Sequence, residues 1–272
     1  MGLLSTAASG LQAQTNRLDM ISNNIANLDT VGYQSVDTNF ANTLTQVYGQ
    51  SPVAANVPGR QSPPGLSLGT GVYALTPTRS FTQGAIVQTG NPLDFAIGGG
   101  GFFTVRAANG QAAYTRAGQM QWSVDGRTGH MILTNQNGNP LLLSNGRVID
   151  GSAIQTNTLS VSPSGVVTAK STAGAVVRLG QLGLVAVAHP GSALHSLGAD
   201  LYGLNPGYTA TPITAGAAAA SAIGQVQSGA LEMSNVNLTD QMTSMVVTQH
   251  DFGMASQAVN IADKMMGLAN SL

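Results

Sequence analysis

The 272-residue chain has no cysteine, a single glutamate (Glu232), a single tryptophan (Trp122) and few charges of either sign. Without cysteine there can be no disulfide, thiolate metal site or cysteine nucleophile, and such a chain suits life outside the reducing cytosol. Lys and Arg total 10 and Asp and Glu total 11, about 8% of all residues, whereas soluble domains average roughly 25%. The net charge is −1 and the basic residues stand singly from Arg17 to Lys264. No positive field exists to attract nucleic acid or anionic lipid, so neither is an expected partner. No apolar run approaches the roughly 18 residues of a spanning helix, so no membrane insertion is expected. The opening MGLLSTAASGLQAQTNR has no positive n-region or apolar h-region. A cleaved secretory signal is therefore not expected, and the chain either stays inside or leaves by a route that needs none.

What is present is glycine, proline and apolar residues. Gly (34) and Pro (11) sit beside 43% hydrophobic residues, a balance that favours many tight turns over disorder. Composition then changes twice along the chain. From Leu3 to about Leu28 the residues are helix formers, with Leu4, Leu11, Leu18 and Ile25 seven apart. Ala7, Ile21 and Leu28 hold the companion positions and Gln14 interrupts them, a heptad stripe. Asp29, Thr30 and Gly32 are expected to stop that helix. Near the other end Leu238, Met245, Phe252, Val259 and Met266 are again seven apart. A second apolar row there, which includes Met254, Ile261 and Leu268, lies about 200° around the helix at 100° per residue. Two apolar faces call for a neighbour on each side, and both ends are expected to become ordered on assembly.

Between the ends, short alternating runs such as Phe102–Val105, Met131–Leu133 and Leu182–Val187 are broken by Asn109-Gly110, Asp125-Gly126, Asn137-Gly138, Asn145-Gly146 and Ser164-Gly165. Glycine at these turns supplies φ > 0, and spacing near ten residues favours antiparallel sheet. The Pro-rich stretch 51–71 reads as an extended linker. The Ala- and Thr-rich run Thr209 to Ser221 reads as a poorly constrained surface segment.

Little chemistry is readable. Gly65-Leu66-Ser67-Leu68-Gly69 has the spacing of a serine-hydrolase elbow, but the following Thr70–Tyr73 reads as strand where a helix is required. Gly98–Gly101 precedes a β run and reads as a tight turn, not a phosphate cradle. His130, His189, His195 and His250 fit no metal spacing. Asn237-Leu238-Thr239 is a sequon placed where a helix should start, so an N-cap explains it better. A wall-cleaving glycosidase would have Glu232 or aspartate pairs to draw on, with Ser67 as the hydrolase alternative. A secreted adhesin would need a ligand-binding β surface. No catalytic residue, metal site or cofactor is expected.

Ser22-Asn23-Asn24-Ile25-Ala26-Asn27-Leu28-Asp29-Thr30-Val31-Gly32-Tyr33 resembles the N-terminal signature of bacterial flagellar rod and hook proteins. Ser80–Gly84, Thr89–Ile97 with Gly101–Phe103, and Ala113–Gly118 are similar to the family's central segments, and Gly229–Asn237 with the helix after it to its C-terminal signature. The Pro63–Gly71 stretch looks most like the distal-rod type and the related Gram-positive rod proteins. One departure stands out: Gln249-His250-Asp251-Phe252 occupies a site where the family has Gln, Arg, a small residue and Tyr.

The resemblance implies an axial structural protein, exported through the flagellar type III apparatus and assembled with copies of itself and other rod and hook subunits into a helical tube that transmits torque. The expected fold is a mainly β, antiparallel, turn-rich central domain with N- and C-terminal α-helices forming a coiled-coil-like assembly domain. The expected divisions are 1–50, 51–71, 72–232 and 233–272. Leu4, Leu11, Leu18, Ile21, Ile25, Leu28, Leu238, Met245, Phe252, Val259, Met266, Met254, Ile261 and Leu268 are the expected subunit contacts. Asn23, Asn24, Asn27 and Gly32 are expected to set the turn that leaves the first helix, by capping carbonyls and allowing φ > 0.

Overall fold

The computed structural model describes residues 2–38, 40–42, 45–48, 66–69, 72–74, 76–126, 128–213 and 225–270. The chain forms two compact units, each discontinuous in sequence. One takes Met1–Ile25, Val36–Thr78 and Leu238–Leu272; the other takes Ala26–Ser35 and Arg79–Asn237.

The first unit holds both terminal helices. Gly2–Ala26 is helical over 25 residues, about 38 Å at 1.5 Å per residue. It ends two residues before the expected Leu28, because the chain turns at once. Thr30 N–H donates to the Asn27 carbonyl at 3.3 Å, the Thr30 hydroxyl donates to Asn27 Oδ1 at 3.2 Å, and Gly32 takes φ +71°. Leu28 therefore lies beyond the helix rather than on its stripe. Among the described side chains of this helix, Ala13, Ile21 and Asn24 are buried, with Leu11, Leu18 and Ile25 half-buried. The C-terminal helix, Leu238–Asn270, has 33 residues, about 50 Å. It begins directly after Asn237, the residue read as its N-cap, and five residues into the 233–272 division. Met233 N–H is held by the Ala85 carbonyl at 2.8 Å, so 233–237 stay extended and Asn237 stands at the N-cap position. Val72–Ala74 pairs with Phe40–Asn42, and Leu66–Gly69 pairs with Thr45–Tyr48. The described part of the expected linker is thus strand, and Val72–Ala74 belongs with the helices; residues 51–65, 70 and 71 lie outside the described residues.

The β unit is built on a six-stranded antiparallel sheet. Its spatial order is Leu194–Gly198, Leu201–Leu204, Ala112–Thr115, Phe102–Arg106, Leu184–Val187, Ala210–Ile213. Tyr114 stands opposite Thr104 on one side and Tyr202 on the other, and Leu184 stands between Phe103 and Ile213. The expectation for Thr209–Ser221 is corrected here: Ala210–Ile213 is an edge strand with Ile213 buried, because pairing with Leu184–Val187 sets Ile213 opposite Leu184 at the core; 214–221 lie outside the described residues.

Beside this sheet stand the hairpin Met120–Val124/Met131–Asn135 and the three-stranded sheet Ser160–Val161, Val166–Lys170, Val176–Gln181. Phe95, Ile97, Phe103, Val105, Leu133, Leu141 and Leu182 form the centre of the core. Four of the five expected turn glycines, Gly110, Gly138, Gly146 and Gly165, have positive φ. Gly126 does not. Its hairpin loop is longer than a tight turn, and Gly129, at φ +69°, closes it by donating to the Asp125 carbonyl at 2.8 Å.

Candidate assembly site

Two features of the structure bear on function: a buried polar node in the β unit and the surface of the C-terminal helix. The node forms where the exit from the first helix meets the segment leading to the second. Ala230–Glu232 pairs with Ile86–Gln88 and Val226–Ser228 pairs with Phe95–Ile97, which carries Glu232 into the interior. There Arg116 Nη1 donates to both Glu232 oxygens, at 3.1 and 3.0 Å, with the two side chains 2% and 1% exposed. Glu232 Oε1 also accepts from Gly84 N–H at 3.2 Å and Gln34 Nε2 at 3.5 Å. The Arg116 guanidinium lies over the Phe102 ring, 5.1 Å from its centre. A desolvated pair of this kind is tolerated because each ion has a counter-charge and further hydrogen bonds.

Residues 32–35 pass through the node. Gly32 N–H donates to the Glu232 carbonyl at 2.8 Å. Its φ of +71° favours glycine, and a Cβ there would collide with Ala117 N. Ser35 N–H donates to Asn235 Oδ1 at 2.8 Å, and Asn235 Nδ2 lies 3.2 Å from Gln34 Oε1 and 2.8 Å from the Ser80 carbonyl. Arg79 Nη1 donates to the Gln34 carbonyl at 2.8 Å, with its guanidinium 5.6 Å from the ring centres of both Tyr33 and Tyr202. Phe81, Phe102 and Tyr202 meet edge to face, with Phe81 5.5 Å from Phe102 and 5.3 Å from Tyr202. Burial pushes the Tyr33 and Tyr202 phenols and the Asp200 carboxyl above their ordinary values, partly opposed by Arg79.

In the helical unit, Asn24 acts as a bridge. Its Oδ1 accepts from Val36 N–H at 2.9 Å, and its Nδ2 donates to the Val36 carbonyl at 2.8 Å and reaches Gln241 Oε1 at 3.2 Å. The side chain expected to set the turn thus pins the returning chain and touches the C-terminal helix. Asn27 accepts from Thr30 within the turn, and Asn23 is exposed.

The C-terminal helix leaves much of its apolar surface uncovered. Phe252, Met254, Ile261, Met265 and Leu268 are 38, 51, 59, 63 and 68% exposed. Leu238 is also exposed, and Met245 and Val259 are half-buried, whereas Thr248 is fully buried. The side chains of Leu4 and Met266 lie outside the described residues. No helix among the described residues is long and apolar enough to cross a membrane.

Residues 4–34 match the family model for the flagella basal body rod protein, 96–169 that for the D1 domain of the flagellar hook protein FlgE/F/G, and 227–272 that for the C-terminal part of the flagellar basal body rod protein FlgEFG. The chain is 33% identical to the flagellar basal-body rod protein FlgG of Bacillus subtilis over 267 residues, covering 97% of this chain and 96% of that one. The chain belongs to the flagellar basal-body rod protein family. The FlgG of Borreliella burgdorferi is 30% identical over 276 residues, covering 100% of this chain and 98% of that one, and the flagellar hook-basal body complex protein FlhP of B. subtilis is 31% identical over 271 residues, covering 98% and 97%. Each family-model segment of this rod-family chain contributes to one node: Gly32 and Gln34 from the first, Arg116 from the second, Glu232 and Asn235 from the third.

The hydrolase candidates find no support in this geometry. A general acid must reach its substrate, and Glu232 is sealed in the core with Arg116. Ser67 stands within the strand Leu66–Gly69, not on a strand-to-helix elbow. His130 pairs with Asp150 at 2.8 Å and His195 with Asn205 at 2.9 Å; among the described residues no cluster of three or more His, Cys, Asp or Glu could hold a metal. Sequence reading misses the Arg116–Glu232 pair, whose only advance signal is that the one glutamate lies in an apolar, strand-forming context (Ala230-Leu231-Glu232-Met233).

Proposed function

We propose that the protein is a non-enzymatic structural subunit of the bacterial flagellar rod, exported through the type III apparatus and seated in the extracytoplasmic part of the basal body. Its terminal helices pack, coiled-coil-like, against copies of itself and other axial rod and hook subunits to build a rigid tube that conducts exported subunits and transmits torque. Family membership supports the structural role. The observation that carries the assembly reading is the exposed row Met254, Ile261, Met265 and Leu268 on one face of the C-terminal helix, with Phe252 exposed on the opposite face. Soluble monomers rarely present contiguous apolar surface of this extent, and such surface marks sites of association.

Leu11, Leu18, Ile25, Met245, Phe252, Val259 and Met266 are the residues assigned to one seam, and Met254, Ile261 and Leu268 to the other. Burying Phe252, Met254, Ile261, Met265 and Leu268 contributes about 8–15 kcal/mol at 1.5–3 kcal/mol each. That is comparable to the roughly 4–15 kcal/mol lost in translational and rotational freedom on association, so the helix drives assembly only when its neighbours cover most of it. Packed seams resist shear as protein cores do, and that is the source of the rod's stiffness in this reading. The test is Phe252→Asp, followed by sedimentation and electron microscopy. Loss of ordered polymer with the β unit still folded is expected; normal polymers would overturn the seam assignment.

A further inference from the structure

We propose that the Arg116–Glu232 node is a clasp closed by the C-terminal signature: residues 32–35, through which the chain leaves the first helix, are seated only when residues 232–235 are in place. The bonds around 32–35 carry this. Gly32 N–H rests on the Glu232 carbonyl, Ser35 N–H on Asn235 Oδ1, and Asn235 N–H reaches the Tyr33 carbonyl at 3.4 Å. The fully buried Gln34 amide places its oxygen 3.2 Å from Asn235 Nδ2 and its Nε2 3.5 Å from Glu232 Oε1. On the other flank, Ser80 N–H donates to the Ser35 carbonyl at 2.9 Å and Arg79 holds the Gln34 carbonyl. The exit segment is therefore bonded on one side by 79–80 and on the other by 232–235.

Remove the second side and the seated state becomes untenable. Gln34 keeps a buried amide stripped of the Asn235 and Glu232 contacts, and Arg116, with its Nε already unpartnered, becomes a buried cation without its counter-charge. Either condition costs more than opening a short segment to water. The exit segment therefore opens. The six-stranded sheet takes no strand from 226–237, so opening the clasp breaks none of its ladder hydrogen bonds.

The test is hydrogen exchange on the full chain, resolved at individual amides, for the parent, Glu232→Ala and Asn235→Ala. In both variants the amides of Gly32, Ser35 and Ser80 should exchange about a hundredfold faster or more, the change expected when a buried charge or amide loses its partner. In Asn235→Ala, residues 102–106 and 184–187 should keep parental protection. Asn235→Ala matters because it touches neither charge, so it reports on the clasp even where Glu232→Ala weakens the whole unit. Parental protection of Gly32 and Ser35 in Asn235→Ala would overturn the proposal. So would equal loss of protection across the sheet in that variant, because the segment would then be part of the global core and not a separately closing element.

Discussion

Breaking the buried ion pair one partner at a time should cost far more than replacing both. In Glu232→Leu the Arg116 guanidinium stays in the core with its side chain 2% exposed and no counter-charge; stranding one member of such a pair costs about 3–5 kcal/mol. Arg116→Met should fall toward the lower end of that range, because Glu232 keeps the Gly84 amide and Gln34 Nε2 as donors. In the double variant both charges are gone, and what remains is the stranded Gly84 N–H, worth about 1–3 kcal/mol. The double variant should therefore be more stable than Glu232→Leu, with a coupling of several kcal/mol between the sites. The single tryptophan makes the assay direct: Trp122 is half-buried in the β unit and its Nε1 donates to the Thr156 carbonyl at 3.3 Å, so its fluorescence follows that unit in urea. With a slope of about 2 kcal/mol/M, the Glu232→Leu midpoint should drop by about 2 M. Additive effects, with the double variant as weak as the sum of the singles, would refute the claim that the two charges stabilise one another.

Gly32→Ala should destabilise the β unit by clearly more than Gly110→Ala, measured by the same urea titration. Gly110 at φ +81° faces open space and pays only the left-handed penalty of about 1–2 kcal/mol, whereas Gly32 adds a clash with Ala117. Burial raises the Asp200 carboxyl, so the folded state holds that proton more tightly than the unfolded chain, and stability falls as pH rises from the ordinary carboxylate range through the raised value. Asp200→Asn should then raise Tm at neutral pH and lose its advantage near pH ~3; Asn also suits the left-handed backbone at φ +56°. An equal gain at both pH values would show that the effect is not ionic. Asp150 has the opposite sign: the Ser152 backbone N–H and then His130 hold it down to about 2. Its contribution is present above the ordinary carboxylate range and lost as pH falls toward about 2. Asp150→Asn should lower Tm at neutral pH only.

What the sequence discloses of this protein depends on how far along the chain each residue's partner lies. Asn109-Gly110 and Asn137-Gly138 announce their turns because the requirement for φ > 0 is met by two neighbouring residues. The alternation of Phe102–Arg106 needs only its own pleat to reveal an inward face. The loop closed by Gly129 escapes because an Asp-Gly pair carries the signature of a turn that the longer loop makes unnecessary. The edge strand Ala210–Ile213 escapes because its place is given by Leu184–Val187, more than twenty residues earlier. Asn24, read as a local turn former, bonds to Val36 twelve residues on and to Gln241 at the far end of the chain. The ion pair is hidden as well, its members 116 residues apart. Nothing near Glu232 in sequence shows what would neutralise it, and a lone carboxylate reads as well for an acid catalyst as for a structural ion. The terminal stripes extend the same rule. A single chain buries Ala13, Ile21 and Thr248 and leaves Ile261 and Leu268 in water. If their cover comes from a neighbouring subunit, the heptads are legible in the sequence because assembly, and not this fold alone, requires them.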